Sequence, residues 1–377
     1  MKQVRYGLIG FGAHAEQCYA EFILKQKLVK NATIAAVTEP SEKRRKMIPS
    51  ILPKSVKVFD DYKKMLASKT IDAAIITSPH PFHAEMVIEC LKRNIPVMCE
   101  KPAATTAFDV KRMIAASKKS KALFGMMFNQ RALGMYQKMK AMIAGGELGD
   151  LQRINWVITN WYRPDKYYTV APNRATWKGE GGGLVINQAC HQVDLLQWIM
   201  GEQPISVNGF MDNGKWHPIE ADDDFTLFLR FKNGATGTFI STTGEFPGCN
   251  RLEISGTKGK LVCENGKLMF HESNVDTKKF SKIAKGPYDN PGFKVKEIKI
   301  AKETLEQHMK IMTNFTNALL GKEKLKIHGS EGLKAVEIIN AALYSGWHNG
   351  ETVKIPVNEA KYVKELKAKI QHSTFKR

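Results

Sequence analysis

Residues 4–15 read VRYGLIGFGAHA, an apolar run that ends in a glycine turn. The run has the composition of a buried strand, and a helical pattern follows the turn. In a turn of this form the first glycine permits the tight bend, and the second lets a pyrophosphate approach the backbone. The helix that follows offers N–H groups to an anion, so the turn predicts dinucleotide binding. The predicted cofactor contacts are Gly10, Phe11, Gly12, Ala13, His14 and Ala15.

Around this turn, from residue 3 to about 125, short β-rich runs alternate with longer amphipathic stretches. This alternation is typical of a parallel sheet with crossover helices, so we expect a doubly wound α/β domain over residues 1–125. The predicted strands are VRYGLIG, TIAAVTE, VKVF, DAAIITS, PVMCE and ALFGMMF. The predicted helices are Ala13–Lys25, Asp60–Ser68, His83–Arg93 and Ala107–Lys118.

The pattern changes after about residue 130 to a helix and then long alternating strands. The helix is predicted over Ala132–Ala144, and two hairpins are predicted with type I′ turns at Asn233-Gly234 and Asn265-Gly266. We therefore expect residues 126–377 to form an α/β domain with a large, mostly antiparallel sheet. Further helices are predicted over 187–200, 303–320 and 331–346.

The composition excludes several classes of function. The 377 residues contain 57 Lys and Arg against 37 Asp and Glu, a net charge of +20. The excess is mostly dispersed lysine without an RNP or zinc-finger motif, so we interpret it as solvated surface and expect no nucleic-acid partner. The sequence lacks an apolar run of about 18 residues and a signal-peptide pattern at its start, which predicts a cytoplasmic protein without a membrane partner. The 6 cysteines form no C-x-x-C pair, which predicts reduced thiols and no metal site.

The second predicted strand ends at Glu39. An acidic side chain at that position accepts hydrogen bonds from the adenosine ribose hydroxyls, which favours NAD. Lys43, Arg44 and Arg45 follow closely and could pair with a 2′-phosphate, so NADP stays possible. We assign Glu39 and Arg44 to the cofactor site.

Glu100, Lys101 and Pro102 follow the fifth predicted strand. They therefore lie at the carboxyl edge of the sheet, where open α/β folds bind their ligands. The ammonium group of Lys101 can donate a hydrogen bond to a substrate oxygen and stabilise charge there during hydride transfer. We assign Glu100 and Lys101 to the cofactor site, and Lys101 also to catalysis.

A third group of polar residues follows the glycine run at residues 181–183. Apolar residues at helical spacing predict a helix in which Asn187, His191 and Asp194 line one face, because residues one turn apart are neighbours. A histidine there can accept a proton, although a histidine beside an apolar stripe is more often structural.

Upstream of that run lie aromatic and cationic residues that could bind a sugar by stacking and by hydrogen bonds. Core packing explains them equally well. The predicted substrate contacts are Tyr162, Arg163, Trp177, Asn187 and His191.

These residues together resemble the glucose-fructose oxidoreductase, inositol dehydrogenase and rhizopine catabolism family, written Gfo/Idh/MocA. The resemblance covers nearly the whole chain, and the Glu-Lys-Pro triplet combined with the glycine-rich H-x-x-D segment is its most specific part. Other shared segments are Thr77-Ser78-Pro79 with His83, FNQR at 128–131, GELGD at 146–150 and SGTKGKL at 255–261.

The resemblance implies a Rossmann domain followed by an α/β domain whose open sheet commonly supports homodimers or homotetramers. It also implies an NAD(P)-dependent dehydrogenase or reductase acting on CH–OH groups of sugars, glycosides or cyclitols. The family's catalytic lysine maps to Lys101 and its histidine to His191. Its usual aspartate maps to Asn187, which can orient a hydroxyl but cannot titrate near neutrality. The further cofactor contacts that it implies are Thr77, Ser78, Pro79, His83 and Asn129.

We therefore expect hydride transfer in which His191 accepts the hydroxyl proton, Lys101 stabilises the oxygen and Asn187 orients it. Asparagine at this position resembles the branch of the family that acts on sugar nucleotides and glycosides. Two alternatives stay open: a redox-neutral enzyme that processes glycosides with bound NAD, and a regulatory protein that senses the cofactor without turnover.

Overall fold

A computed structural model describes residues 3–374. The chain divides into two compact units. The first runs through Ala132 and also contains Thr304–Val336, whereas the second contains Leu133–Glu303 and continues from Glu337.

The first unit is built on six parallel strands in the order β3-β2-β1-β4-β5-β6. The chain thus proceeds outward from β1 in both directions, which is the topology of a doubly wound dinucleotide-binding sheet. All six predicted strands are confirmed. They are β1 (Val4–Ile9), β2 (Ala32–Thr38), β3 (Lys57–Phe59), β4 (Ala73–Ile76), β5 (Val97–Cys99) and β6 (Phe124–Met126).

Helices connect these strands, and side-chain caps fix where several begin. Asp61 accepts hydrogen bonds from the N–H groups of Lys63 and Lys64, and Thr106 accepts one from Asp109. The first helix has hydrogen bonds of the i→i+5 type, such as the one from Gln26 N–H to Glu21 O. The helices are Ala15–Lys25, Glu42–Arg45, Ile48–Ile51, Tyr62–Ala67, His83–Lys92, Ala107–Lys119 and Gln307–Leu319, with 3-10 turns at His80–Phe82, Asn129–Ala132 and Gly329–Glu331.

The segment Thr304–Val336 packs with the first unit through specific contacts. The hydroxyl groups of Tyr6 and Thr316 are 2.8 Å apart, and the rings of Tyr6 and Phe315 are 6.4 Å apart between centroids. The N–H of Met126 donates to the carbonyl of Ile327. The predicted domain boundary at residue 125 leaves the segment Thr304–Val336 outside the first domain, because long-range packing leaves no local pattern in the sequence.

The second unit contains nine strands in the order β14-β13-β12-β11-β7-β10-β9-β8-β15. The β7–β10 pair is parallel, and the other neighbours in the sheet are antiparallel, as the sequence predicted. The strands are β7 (Leu151–Ile158), β8 (Ser206–Asn213), β9 (Asp222–Arg230), β10 (Thr236–Thr242), β11 (Asn250–Gly256), β12 (Gly259–Glu264), β13 (Lys267–Ser273), β14 (Phe293–Glu297) and β15 (Val353–Lys354).

The two predicted hairpin turns differ. Asn265 and Gly266 have φ values of 50° and 73°, which confirms a type I′ turn between β12 and β13. In the other turn Gly234 has a φ of 89°, and its N–H donates to the carbonyl of Phe231. Asn233 instead accepts a hydrogen bond from the N–H of Ala235 through its side chain. The type I′ prediction is wrong here, because Lys232, Asn233 and Gly234 form a three-residue loop that closes with a left-handed glycine.

The helices of the second unit pack on a core that is rich in aromatic side chains. The rings of Trp156 and Phe239 are 5.8 Å apart, and those of Phe225 and Phe239 are 5.1 Å apart. Among the described residues, no helix is both long and apolar enough to cross a membrane. The helices are Gly134–Ala144, Asp165–Thr169, Cys190–Met200, Thr277–Phe280 and Glu359–Gln371, together with Gly332–Trp347, whose first residues belong to the first unit.

Candidate active site

Gly10 and Gly12 of the glycine turn are glycine for different reasons. Gly10 has a φ of 94°, and a Cβ there would lie 3.0 Å from the backbone of Ser78. The fold itself therefore requires glycine at this position. A Cβ on Gly12, in contrast, would meet nothing within 4 Å. The missing side chain of Gly12 leaves open space directly over the backbone, which fits the approach of a dinucleotide pyrophosphate.

Glu39 and Arg44 meet beside the glycine turn. The Glu39 carboxylate is largely buried and accepts a hydrogen bond from the N–H of Ser41. Arg44 Nε lies 3.4 Å from Glu39 Oε2, and Arg44 Nη2 donates to the carbonyl of Phe11 at 2.9 Å. A 2′-phosphate placed against Glu39 would face a carboxylate, so this arrangement favours ribose hydroxyls and hence NAD.

The turn after β4 lies against the glycine turn. Thr77 Oγ1 donates to the carbonyl of Gly10 at 2.6 Å, and the Ser78 hydroxyl lies 3.1 Å from Met86 Sδ. Pro79 is exposed and precedes the 3-10 turn His80–Phe82. The hydrogen bond of Thr77 thus joins the turn after β4 to the glycine turn.

His83, a predicted cofactor contact, has its side chain directed into the protein. Its side chain is fully buried, with Nδ1 at 2.8 Å from the Pro102 carbonyl and Nε2 at 2.8 Å from the Ser78 carbonyl. Burial lowers the pKa of this imidazole, although the two carbonyls oppose the shift. His83 therefore links two loops at the sheet edge and does not present a nitrogen to a ligand.

Glu100, at the end of β5, is a buried carboxylate that bonds to three polar groups. Its Oε1 accepts hydrogen bonds from the Tyr19 hydroxyl at 2.5 Å and from His14 Nε2 at 2.8 Å. Its Oε2 accepts the N–H of Lys101 at 3.2 Å. The carboxylate thus links the helix after the glycine turn to the backbone of Lys101.

The charges of Glu100 and His14 stabilise one another. Burial by itself would raise the pKa of the Glu100 carboxyl, but the positive charge and hydrogen bond of His14 outweigh burial and lower it. The negative charge of Glu100 raises the pKa of His14 to about 10, although burial of the ring opposes this. At neutral pH the pair is therefore a carboxylate and an imidazolium.

Lys101 and Asn129 complete the first unit's predicted site residues. Lys101 is half-buried and follows β5 at the carboxyl edge of the sheet. Asn129 is buried, and its Nδ2 lies 3.3 Å from Gln307 Oε1 and 3.2 Å from His308 Nδ1. The amide of Asn129 is thus directed to the Thr304–Val336 segment.

In the second unit, Asp222 organises the glycine run. Its carboxylate accepts the N–H groups of Gly183 at 2.9 Å and Val185 at 2.7 Å, and its carbonyl accepts that of Leu184. A Cβ on Gly183 would collide with the Asp222 carbonyl, which explains the glycine. Burial raises the pKa of the Asp222 carboxyl, and the hydrogen bonds from Val185 and Gly183 partly offset this.

Asn187 lies in a turn before the helix and not within it, because the helix begins at Cys190. The predicted start at residue 187 is therefore three residues too early. Asn187 Nδ2 is 3.0 Å from both carboxylate oxygens of Glu180, which also accepts the N–H of Ala175. A buried carboxylate thus fixes the orientation of the Asn187 amide.

His191 is half-buried on the first turn of this helix. Asp194, which we expected on the same face, is buried and accepts a hydrogen bond from Gln197 at 3.2 Å. The structure therefore leaves Asn187 and His191 at the partly exposed start of the helix and places Asp194 in the interior.

The predicted substrate contacts separate into two groups. Tyr162 is exposed, and its ring lies 6.0 Å from that of Phe246. The Arg163 guanidinium lies 5.2 Å from the Tyr167 ring. Trp177 is buried against Trp347, with ring centroids 5.7 Å apart. Trp177 is therefore a core residue, and its side chain is not placed to stack on a sugar.

Sequence reasoning missed several residues that shape these sites. Glu180 stands in the KGEGGG stretch, and its charge just before a glycine run was the available signal. Asp222 stands in the run ADDDF, where a charged residue at the start of a strand pattern was a weaker signal. His308 lies far along the chain, and nothing local associates it with the glycine turn.

Two family models match the chain. The oxidoreductase family with an NAD-binding Rossmann fold matches residues 4–128, and the GFO/IDH/MocA C-terminal domain matches residues 136–262. The first match spans nearly all of the predicted first region, and the second match lies within the predicted second region.

Individual relatives agree with these models. Myo-inositol 2-dehydrogenase of Thermotoga maritima is 28% identical over 70% of this chain and 75% of its own length. The rhizopine catabolism protein MocA of Rhizobium meliloti is 24% identical over 69% of this chain and 78% of its own. The crystal structure of the WlbA dehydrogenase from Chromobacterium violaceum, in complex with NADH and UDP-GlcNAcA, has a TM-score of 0.78 and 25% identity, covering 95% of this chain and 97% of that one.

Proposed function

The chain belongs to the Gfo/Idh/MocA family of NAD-binding oxidoreductases, and on that premise we propose that it transfers a hydride between NAD and a hydroxyl-bearing carbon of a sugar, glycoside or cyclitol. The observation that carries the proposal is the open space over Gly12, beside the buried carboxylate of Glu39. A pyrophosphate and an adenosine ribose require these two features at the edge of a doubly wound sheet.

In this proposal the residues of the first unit bind the cofactor and stabilise the reacting oxygen. The glycine turn receives the pyrophosphate, and Glu39 accepts hydrogen bonds from the ribose hydroxyls. NAD, when bound, supplies the hydride acceptor. Lys101 donates a hydrogen bond from Nζ to the reacting oxygen and stabilises the negative charge that develops there.

The residues of the second unit handle the proton. We assign to His191 the role of general base, because a half-buried imidazole can take up the hydroxyl proton near neutral pH. Asn187 Oδ1 accepts a hydrogen bond from a substrate hydroxyl, while its Nδ2 stays bonded to Glu180. In the reducing direction the same groups return the proton to the oxygen.

The relatives support a polyhydroxylated ring as the substrate class. One relative is named for myo-inositol, and the WlbA dehydrogenase is bound to the sugar nucleotide UDP-GlcNAcA. Exposed Tyr162 and Phe246, with Arg163 nearby, offer aromatic faces and a cation suited to such a ring.

The proposal also includes a cytoplasmic location and a homo-oligomeric state. A cytoplasmic location is supported by the six cysteines, none of which forms a disulfide in the described residues, since a reducing compartment keeps cysteines as thiols. A homodimer or homotetramer is supported by the family resemblance, and sedimentation velocity tests it. A single monomeric species would contradict this part of the proposal.

The glycine turn allows a sharp test of cofactor binding. Gly12→Val places its side chain in open space, so we expect the variant to fold normally while its affinity for NADH falls by at least tenfold. Ala115→Val is a control, because Ala115 is exposed in the helix Ala107–Lys119 of the same unit and lies outside the turn. NADH fluorescence measures binding, and circular dichroism checks folding. Equal NADH affinity in wild type and Gly12→Val would contradict the proposed cofactor site.

A further inference from the structure

Three potential metal ligands converge in the first unit beside the glycine turn. His14, Cys18 and His308 each offer one ligand atom, and these atoms all lie within 4.8 Å of one another. His14 Nδ1 and Cys18 Sγ are 3.4 Å apart, and the rings of His14 and His308 are 5.6 Å apart between centroids. Ligand atoms around a tetrahedral zinc ion are separated by about 3.3 to 3.8 Å. Small changes of side-chain rotamer would bring the three ligand atoms to these separations.

The second nitrogen of each histidine is held by a carboxylate. His14 Nε2 bonds to Glu100 Oε1 at 2.8 Å, which leaves Nδ1 directed to Cys18. His308 Nδ1 lies 3.0 Å from Glu306 Oε1 and 3.2 Å from Asn129 Nδ2, so these contacts occupy Nδ1 and leave Nε2 for an ion. Metal-binding histidines almost always have such a partner, because it fixes the ring and raises the basicity of the ligand nitrogen.

From this geometry we propose that His14, Cys18 and His308 bind one zinc ion, with Glu100 and Glu306 as the carboxylates that orient the two histidines. The ion displaces the Nδ1 proton of the His14 imidazolium and the thiol proton of Cys18, which pass to solvent. One thiolate and two imidazoles suit a borderline-soft divalent cation and not Mg²⁺ or Ca²⁺, which prefer oxygen ligands. The two neighbouring carboxylates balance the charge of the ion. The exposed side of the cluster leaves a fourth position for water.

This proposal departs from the expectation of no metal, which rested on the absence of C-x-x-C spacing. His14 and Cys18 are one helical turn apart, but His308 comes from the returning segment Thr304–Val336. A bound ion would link that segment to the first helix, so zinc should also stabilise the protein against unfolding. The proposal goes beyond the proposed function, and its test needs neither substrate nor cofactor.

The test is titration of the full-length protein, first freed of metal with a chelator, with Zn²⁺ alone and with Co²⁺ as a spectroscopic probe. We expect one equivalent of Zn²⁺ per chain by calorimetry, a raised unfolding temperature, and a thiolate-to-cobalt absorption band. Cys18→Ser should abolish that band. Glu306→Gln should weaken zinc affinity by about 10- to 100-fold, as loss of an orienting carboxylate does.

Matched controls are Cys249→Ser and His372→Gln, which remove an exposed cysteine and an exposed histidine elsewhere. Both should bind Zn²⁺ and Co²⁺ as the wild type does. The proposal is overturned if the wild type takes up no stoichiometric zinc, or if Cys18→Ser and His308→Gln retain the wild-type affinity and cobalt spectrum. Circular dichroism of each variant separates loss of binding from loss of fold.

Discussion

Asn187 donates its side-chain amide to both carboxylate oxygens of Glu180, each at 3.0 Å. An aspartate at residue 187, which the family resemblance makes the usual residue, would place a second carboxylate against Glu180. Two carboxylates that share a site repel, so one must take up a proton or move away. Asparagine at residue 187 and glutamate at residue 180 therefore form a matched pair.

The first prediction concerns this pair. Asn187→Asp should lower kcat/KM by about 10- to 100-fold, because it exchanges a hydrogen bond for repulsion at a partly buried site. The double variant Asn187→Asp with Glu180→Gln should recover part of the loss, since an amide at residue 180 can donate to the new carboxylate. Steady-state kinetics of the four proteins in the cycle measure the coupling. Strictly additive effects would show that the contact has no part in turnover.

The second prediction concerns the proposed base. His191→Ala should lower kcat by about 10²- to 10⁴-fold, as loss of a general base does, while the affinity for NADH stays unchanged. Its control is His372→Gln, which alters an exposed histidine of the same unit. If His191→Ala turns over at the wild-type rate, His191 has no role in proton transfer.

The third prediction concerns cofactor choice. Glu39→Gln should weaken NAD binding by about tenfold and improve NADP relative to NAD, because it removes the carboxylate that repels a 2′-phosphate while Arg44 stays in place. Glu42→Gln is a suitable control, since Glu42 is exposed and pairs with Lys46. The ratio of kcat/KM for the two cofactors measures the change. An unchanged ratio would remove Glu39 from cofactor selection.

The fourth prediction concerns pH and His83. Burial lowers the pKa of the folded imidazole below its ordinary 6.5, although the Ser78 and Pro102 carbonyls and the charge of Glu100 oppose the shift. The positive charge of Lys101 acts in the same direction as burial. As pH falls through 6.5 the unfolded chain therefore takes up the proton first, and stability that is present above this pH is lost.

Replacement of His83 tests this sign directly. His83→Gln cannot titrate, so its unfolding temperature should fall less than that of the wild type between about pH 7.5 and about pH 5.5. Thermal unfolding followed by circular dichroism gives the comparison. A wild type that loses no more stability than the variant over this interval would contradict the assigned direction.

The sequence predicted the parallel sheet of the first unit well because its signals are local. Each of its features can be identified from a few neighbouring residues. These features are the apolar runs, the glycine turn and Glu39 at the end of β2. The same holds for the Asn265-Gly266 turn. Asn233-Gly234 has the same two letters but forms a longer loop, because the Asn233 side chain bonds to the N–H of Ala235.

The features that the sequence did not predict depend on partners far along the chain. From the sequence, Trp177 is a candidate for stacking on a sugar, but in the structure its ring packs against that of Trp347. From the sequence, His83 is a candidate cofactor contact, but in the structure its two ring nitrogens lie against the carbonyls of Ser78 and Pro102. Glu180 acquires its role only because the glycine run returns Asn187 to its carboxylate.

The most direct test of the central claim is the absorbance of reduced nicotinamide during turnover. NAD or NADP is incubated with the enzyme and a panel of cyclitols, free sugars, glycosides and sugar nucleotides, with Lys101→Ala as the control. We predict reduction of NAD by at least one member of the panel and its loss in Lys101→Ala. If no member of the panel changes this absorbance although the enzyme binds NADH, net hydride transfer is contradicted. Product formation without NADH would indicate redox-neutral chemistry instead.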